Sequence, residues 1–506
     1  MKKFSLRSGN VIASPTKWGE ATSKLRLLRR PFPPGLRPER AGGGPPRKDG
    51  RWFFQVCYIF LLVFLISGPV SAEDLPPLPA GPLILTSVRP EQLSANYWIN
   101  RLPDPDLLLK SPQEIKEFNE DIHREIKEAV DVFALDTKRP GGPIRSQIKY
   151  EYETVKKRKL FGADDQRIPQ SFFDANVLPL LRWEKIPASI SMRWGAAVRA
   201  TAVRALPTDK KMLEAVGDYE FDQIQYTQIK LWTPVGIFHT SSDGKWHYVQ
   251  GPYTRGWVRA KDIALFPTRA ELKKYVKPES ASFLVVTGES IRIFSDTALA
   301  ELDQKASMGT ILPLSGERPN AYAIWMPRAG VGGKAVLERA YVSKKSDVST
   351  GFVPFTQRNI IRQAFKLLGA RYGWAGMYNG RDCSGFTHDV FLTFGLDMPR
   401  GSKEQGYVGA QIDHFGYKED TERKLARLQN AIPGITLLRM PKHQMLYLGQ
   451  ENGQYYVIHC TWAERVSMTS DQKLRINQVV VSDLTLNGQS YLGSLFDRII
   501  SMNEFN

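Results

Sequence analysis

The chain has 506 residues, too many for one hydrophobic core and enough for three or four domains. Its formal net charge of +17 points to nucleic acid only until its placement is read. Ten of those charges fall in residues 1–51, and the remaining +7 comes with no basic, aromatic-interleaved motif, so nucleic acid is set aside as a partner.

The basic leader runs through a Pro/Gly-rich stretch, Pro31 to Pro46, of disordered composition. It flanks an apolar run from Trp52 to Ser67 that ends in Val70-Ser71-Ala72 before Glu73. A positive region, an apolar region and small residues at a cut site read as a secretory signal. The run is short for a membrane span and carries Gln55, which favours cleavage after Ala72 over an uncleaved anchor. Residues 1–72 are therefore leader and signal peptide, and the membrane is a partner only if that segment stays. Cys57 precedes most of the apolar run, the wrong place for lipid attachment. The mature chain keeps Cys383 and Cys460, which is no disulfide framework, so it must fold on its core.

Residues 73–90 are Pro-rich and read as extended. Ser111-Pro112-Gln113-Glu114 has the form of a capping box with Pro at the first helical position. Ile115, Phe118, Ile122, Ile126, Val130 and Phe133 follow at helical spacing. The cluster Arg139-Pro140-Gly141-Gly142-Pro143 is expected to end this region, which spans 73–160. Between about 180 and 350 a pattern of short alternating strands and tight turns is written twice. The first copy, 180–268, holds Thr233 to His239, a Ser242-Asp243-Gly244-Lys245 turn, Trp246 to Gln250 and Gly256-Trp257-Val258. The second, 280–350, holds Gly309 to Leu314, Tyr322 to Met326 and Ala340-Tyr341-Val342. Each reads as a small barrel whose aromatics form the core, with wall anchoring as the alternative.

Gly373 to Gly380 is rich in Gly and aromatics and cannot be helical, whereas Phe386, Val390, Phe391 and Phe394 recur at helical steps. Asp382 stands at the join as an N-cap. Cys383 then lies in the first turn, where unpaired N–H groups and the helix dipole favour a thiolate nucleophile. Two strand-like runs follow, Pro441 to Gly449 with His443, and Tyr455 to His459, joined by a Gly449–Gly453 turn. An antiparallel hairpin would set the two imidazoles side by side, giving a triad in chain order Cys, His, His. Cys383, His443, His459 and Cys460 are four possible zinc ligands, but no Cys-x-x-Cys or His-x-x-x-His spacing is present. Adjacent strand residues also face opposite ways, so His459 and Cys460 do not converge on one ion. No metal or cofactor is expected, and Cys460 is read as a core residue.

These residues resemble the NlpC/P60 cysteine peptidases, papain-like enzymes that cut bacterial cell-wall peptides. The match runs through Tyr372-Gly373-Trp374-Ala375-Gly376, Asp382-Cys383-Ser384-Gly385-Phe386, Pro399-Arg400-Gly401-Ser402 with Gln405, His443 ahead of Leu446-Tyr447-Leu448-Gly449, and His459. It covers 356–500. Ala375 stands where Gly is more usual, and Gln444-Met445 where Val-Gly or Val-Ala is common. The resemblance implies an α+β protein: a papain-like catalytic domain at 356–500, preceded by two SH3-like barrels and a helical N-terminal clip at 73–160.

By the same resemblance the enzyme hydrolyses the γ-D-glutamyl–diaminopimelate bond of peptidoglycan stem peptides, in the periplasm or cell envelope and as a monomer. Cys383 attacks, His443 moves the proton and His459 orients the imidazole. The Cys383 N–H and the Tyr372 hydroxyl serve the oxyanion. Asp382, Ser384 and Ser402 line the substrate groove, with Asp382 alternatively only a cap. The loops Asp218 to Gln225 and Gly251 to Gly256, with Tyr253, are candidates to close one end of the groove. An acidic group there beside a Tyr hydroxyl would suit the ammonium of a free stem peptide and make a recycling enzyme; an open groove would make a lysin, the reading preferred for an exported chain. The rivals are an inactive peptidoglycan-binding protein and an acyltransferase. The intact Cys–His–His set opposes the first. The second places His before Cys in the chain, the reverse of the order here.

Overall fold

In the computed structural model, residues 81–276, 282–409 and 411–505 are described, and the leader, signal segment and cleavage point lie outside them. Helix α1 spans Pro112–Glu125 and opens on the capping box read from sequence. Ser111 Oγ accepts the Glu114 N–H at 3.3 Å, and the Glu114 carboxylate accepts the Ser111 N–H at 2.7 Å. The helical spacing of apolar residues runs on to Phe133, but the helix stops at Glu125. Ile126 is extended, and beyond it the Val130 N–H donates to Pro252 O at 2.7 Å. A tertiary partner outweighs the local periodicity there. The Arg139–Pro143 cluster behaves opposite to expectation, because helix α2, Gly141–Lys156, begins inside it. Pro143 lies in the first turn, where no N–H is needed. Gly141 is required by close approach, since a Cβ would stand 1.8 Å from Pro187 O.

Two antiparallel sheets of seven strands follow. The first holds β1 (Arg193–Ala197), β2 (Thr201–Arg204), β3 (Gln225–Ile229), β4 (Pro234–Thr240), β5 (Trp246–Gln250), β6 (Arg255–Arg259) and β7 (Ile263–Phe266). Its hydrogen-bonded order is β7-β1-β4-β5-β6-β2-β3. The second holds β8 (Phe283–Val286), β9 (Ser290–Phe294), β10 (Leu302–Ser307), β11 (Ile311–Glu317), β12 (Ala321–Ala329), β13 (Ala335–Ser343) and β14 (Val348–Thr350), in the order β10-β9-β13-β12-β11-β8-β14. The strand content matches the two predicted repeats, but neither order closes into a barrel. In the first sheet the free edge at β3 faces the segment Trp374–Asn379 instead of β7, with Gln225 Nε2 donating to Ala375 O at 3.0 Å. A sheet edge covered by another domain needs no closure.

The last region carries α3 (Gln357–Phe365), α4 (Cys383–Leu392), β15 (Gln411–His414), α5 (Thr421–Gln429), β16 (Thr436–Met440), β17 (His443–Glu451), β18 (Gln454–Arg465), β19 (Lys473–Asp483) and β20 (Ser501–Glu504). Its six strands form one antiparallel sheet in the order β15-β20-β16-β17-β18-β19. Helix α4 packs on β17 and β18; its Phe386, Val390 and Phe391, with Phe394 just beyond its end, are all fully buried. Truncating any of the three Phe rings would cost about 3–5 kcal/mol. The N-terminal segment divides between two cores: Trp98, Ile122 and Ile126 join the core around α4, while Ile148, Tyr152 and Val155 of α2 join that of the two seven-stranded sheets. Among the described residues no helix is long and apolar enough to cross a membrane.

Candidate active site

Helix α4 starts at Cys383 because Asp382 caps it, its carboxylate accepting the Gly385 N–H at 2.8 Å. The other carboxylate oxygen accepts the Ala375 N–H at 3.0 Å, which ties down the non-helical strap before Cys383. Arg400 grips the same carboxylate through both terminal nitrogens at 2.9 and 2.7 Å, and donates to Ser384 Oγ at 3.0 Å. Its Nε donates to Thr227 Oγ1 of β3 at 2.9 Å. Burial would raise the Asp382 carboxyl, but the Arg400 guanidinium outweighs it and holds the group below the usual carboxylate range. Asp382 is thus a cap and an ion-pair partner, with its oxygens occupied.

Strands β17 and β18 bring the histidines together. The register Leu446↔Ile458 sets His443 and His459 on one face as diagonal neighbours. His443 Nε2 lies 2.7 Å from His459 Nδ1, with ring planes at 81°. His459 Nε2 lies 2.9 Å from Ser482 Oγ on β19. The Cys383 thiol donates to Lys442 O at 3.7 Å and receives the Gln444 N–H, so it touches the backbone on both sides of His443. Nδ1 is then the ring nitrogen of His443 that the His459 contact leaves over.

The helix start does not by itself make Cys383 a thiolate. Burial, reinforced by the Asp382 charge, pushes the thiol up to about 12 against the Gln444 and Ser384 N–H groups. Burial also holds His443 well below its ordinary 6.5, with His459 and Arg498 adding to it. His459 falls to about 3 through burial and then Arg498. The resting arrangement is a neutral thiol beside neutral imidazoles. The expected thiolate loses because a dipole worth about 0.3–1 kcal/mol, up to ~2, is set against desolvation.

The other predicted positions divide. Tyr372 is buried near the thiol, its hydroxyl raised well above the ordinary phenol value by burial and then by Asp382 and Cys383. Ser384 is buried under Arg400. Ser402 is half-buried at the start of a short helix, Ser402–Gln405. Gln405 at its end ties Ser384 O and Pro399 O together, at 2.9 Å each. Tyr253 packs elsewhere: its hydroxyl is buried and its ring lies edge-on to His388, centroids 4.5 Å apart, five residues along α4 from Cys383. In the loop Asp218 to Gln225, Glu220 pairs with Arg371 at 3.0 Å and Arg475 at 2.6 Å, and accepts the Trp462 indole N–H at 2.5 Å. Phe221 packs against Tyr372, Trp374 and Trp462. That loop therefore meets the catalytic domain, but away from Tyr253. Cys460 is fully buried, its thiol donating to Arg381 O at 3.0 Å.

Sequence reasoning missed Ser482 and a buried ion cluster on α4. Lys230 of the first sheet meets Asp389 at 2.8 Å, and Arg381 meets the same oxygen at 2.8 Å. Ser482 leaves a signal in sequence: it is the lone hydroxyl ending the apolar run Val479-Val480-Val481.

The NlpC/P60 family model matches residues 369–483, and a model described as an SH3 domain of the SH3b1 type matches residues 210–259. A gamma-D-glutamyl-L-lysine dipeptidyl-peptidase of Bacillus cereus is 26% identical over 162 residues, 31% of this chain and 45% of that protein. The chain thus aligns with less than half the length of that curated relative. The solved NlpC/P60 endopeptidase of Photobacterium damselae subsp. piscicida shares the fold at a TM-score of 0.66 with 20% identity, covering 85% of this chain and 98% of its own. Residues 369–483 thus form a domain of the NlpC/P60 type, a family of cysteine peptidases, with an SH3b1-type domain before it at 210–259.

Proposed function

We propose that the protein is an exported cysteine endopeptidase that hydrolyses the γ-D-glutamyl–diaminopimelate bond of peptidoglycan stem peptides. The observation that carries this reading is the thiol lodged between Lys442 O and the Gln444 N–H, with His443 between them and bonded to His459. Cys383 sulfur attacks the γ-carbonyl carbon as its proton passes to Nδ1 of His443. The tetrahedral oxyanion is served by the Cys383 N–H and the Tyr372 hydroxyl. Its collapse breaks the C–N bond, His443 returns the proton to the leaving amine, and a thioester remains. Water, deprotonated by His443, then attacks the thioester, releasing the γ-carboxylate and restoring the thiol.

Within this reading the enzyme works on intact wall. Glu220, the residue of the SH3-like loop that ion-pairs with the catalytic domain, faces two guanidiniums, so that carboxylate is engaged and not open to a substrate ammonium. The name of the Bacillus cereus relative, a dipeptidyl-peptidase, favours a second reading in which free stem peptides are cut. Incubating purified sacculi with the enzyme distinguishes them: soluble muropeptides are expected, identified by mass spectrometry. No release, alongside rapid cleavage of free L-Ala-γ-D-Glu-diaminopimelate peptides, would move the assignment to the second reading.

A further inference from the structure

The hydrogen-bonded row does not stop at His459. Ser482 Oγ lies 2.9 Å from His459 Nε2, and the serine is fully buried. The register Val457↔Ser482 makes Ser482 the diagonal neighbour of His459, as His459 is of His443. Three adjacent strands, β17, β18 and β19, therefore each contribute one polar side chain to a single line across one sheet face. A buried hydroxyl needs a partner, and here that partner is the ring that holds the base.

We propose that Ser482 is a positioning residue that sets the tautomer of both histidines. It accepts the His459 Nε2–H, which makes His459 Nδ1 an acceptor. That nitrogen then takes the His443 Nε2–H, and Nδ1 of His443 is left as a lone pair for the thiol proton. When Cys383 gives up that proton, His443 gains it at Nδ1 and keeps its Nε2–H. His459 and Ser482 exchange no proton, so one ladder serves the neutral and the cationic base. In the reversed ladder Ser482 donates, His459 Nδ1–H donates to His443 Nε2, and His443 Nδ1 already carries a proton. That form cannot act as a base. A ring nitrogen's protonation is set by what the other nitrogen meets, and outer partners of this kind fix orientation.

The proposal rests on His443 as the base, and its test has a readout apart from turnover. The full chain, labelled with nitrogen-15 in histidine, reports the His459 tautomer by NMR. The wild type is expected to show His459 protonated at Nε2, and Ser482→Ala to show a mixture. The same variant should lower kcat about tenfold with KM unchanged, the rate equivalent of one lost hydrogen bond. In a His459→Asn background, Ser482→Ala should change kcat less than twofold. Ser482→Cys, of similar volume and a weaker acceptor, covers the case in which the alanine variant folds poorly, and the same tautomer mixture is expected. An unchanged tautomer, or an equal loss in both backgrounds, would reduce Ser482 to packing. A wild type that cleaves no peptide would sink the functional reading while the tautomer measurement still decides the role of Ser482.

Discussion

Helix α4 lies between two buried polar clusters that have solved burial in opposite ways. At its N-terminus the thiol and the two imidazoles are kept neutral, because each loses solvation and no opposite charge outweighs that loss: Arg400 favours the thiolate, but burial and the Asp382 charge prevail. One and a half turns on, Asp389 is buried as deeply and stays ionised. Burial would raise it, but Lys230 and then Arg381 hold it far below the carboxylate range. Asp382, the cap next to Cys383, follows the second pattern through Arg400. The difference is partner supply. Lys230 comes from the first SH3-like sheet, as does Thr227, which steadies Arg400. Ionised groups hold the helix in place across a domain boundary, while the groups assigned to chemistry are left uncharged and able to exchange a proton.

The largest expected effect lies in the neutral cluster. Cys383→Ala should abolish hydrolysis and leave the thermal transition unchanged within about a degree, while Cys460→Ala keeps its turnover in the same peptide assay. Residual hydrolysis by Cys383→Ala above background would remove this residue from the chemistry.

Breaking the charged cluster should act on stability instead. Lys230→Met strips Asp389 of one of its two cations, and removing one partner of a buried pair costs about 3–5 kcal/mol. Urea unfolding should register a loss of that order, with turnover per folded molecule within a few-fold of wild type. An unchanged midpoint would mean that Arg381 alone suffices for Asp389.

The smallest effect is a matter of pH. His443 is depressed below 6.5, so it is a neutral base at pH 6.5 and is protonated only at lower pH. The thiol near 12 adds no thiolate in the neutral range. The rate of kcat/KM should therefore be flat from pH 6.5 upward through neutrality and fall only well on the acid side. Alkylation of Cys383 in a His443→Ala variant should accelerate only in strong alkali. Activity retained far into acid and lost on the alkaline side, as an imidazolium gives up its proton, would indicate a thiolate–imidazolium pair and erase the contrast between the two clusters.

The parts of this arrangement that local rules control were legible in the sequence. Asp382 before Cys383, with aromatics at helical steps, fixes where α4 starts, and the alternating runs around His443 and His459 fix the hairpin. Charge states were not legible, since they depend on which domain covers which group: nothing near Lys230 in sequence announces Asp389. Tyr253 misled for the same reason, because its loop meets α4 at His388 and not at the thiol. The start of α2 was misread because Pro and Gly punctuate both ends of helices, and only contact with Pro187 tells which end Gly141 serves.

The strap before Cys383 carries one further consequence. Ala375 has φ +50° and Gly376 φ +83°, and a left-handed Ala costs about 1–2 kcal/mol. A Cβ on Gly376 would stand 2.7 Å from Gln228 Cβ of the SH3-like sheet, and Trp374 Nε1 donates to Asp222 O at 3.1 Å. The loop that delivers Cys383 is thus moulded on a neighbour's surface. An exchange that transplanted the catalytic domain onto a foreign SH3 module would carry the active-site residues across and leave behind the mould that shapes them. Sequence change on either side of that seam is constrained to proceed in matched pairs.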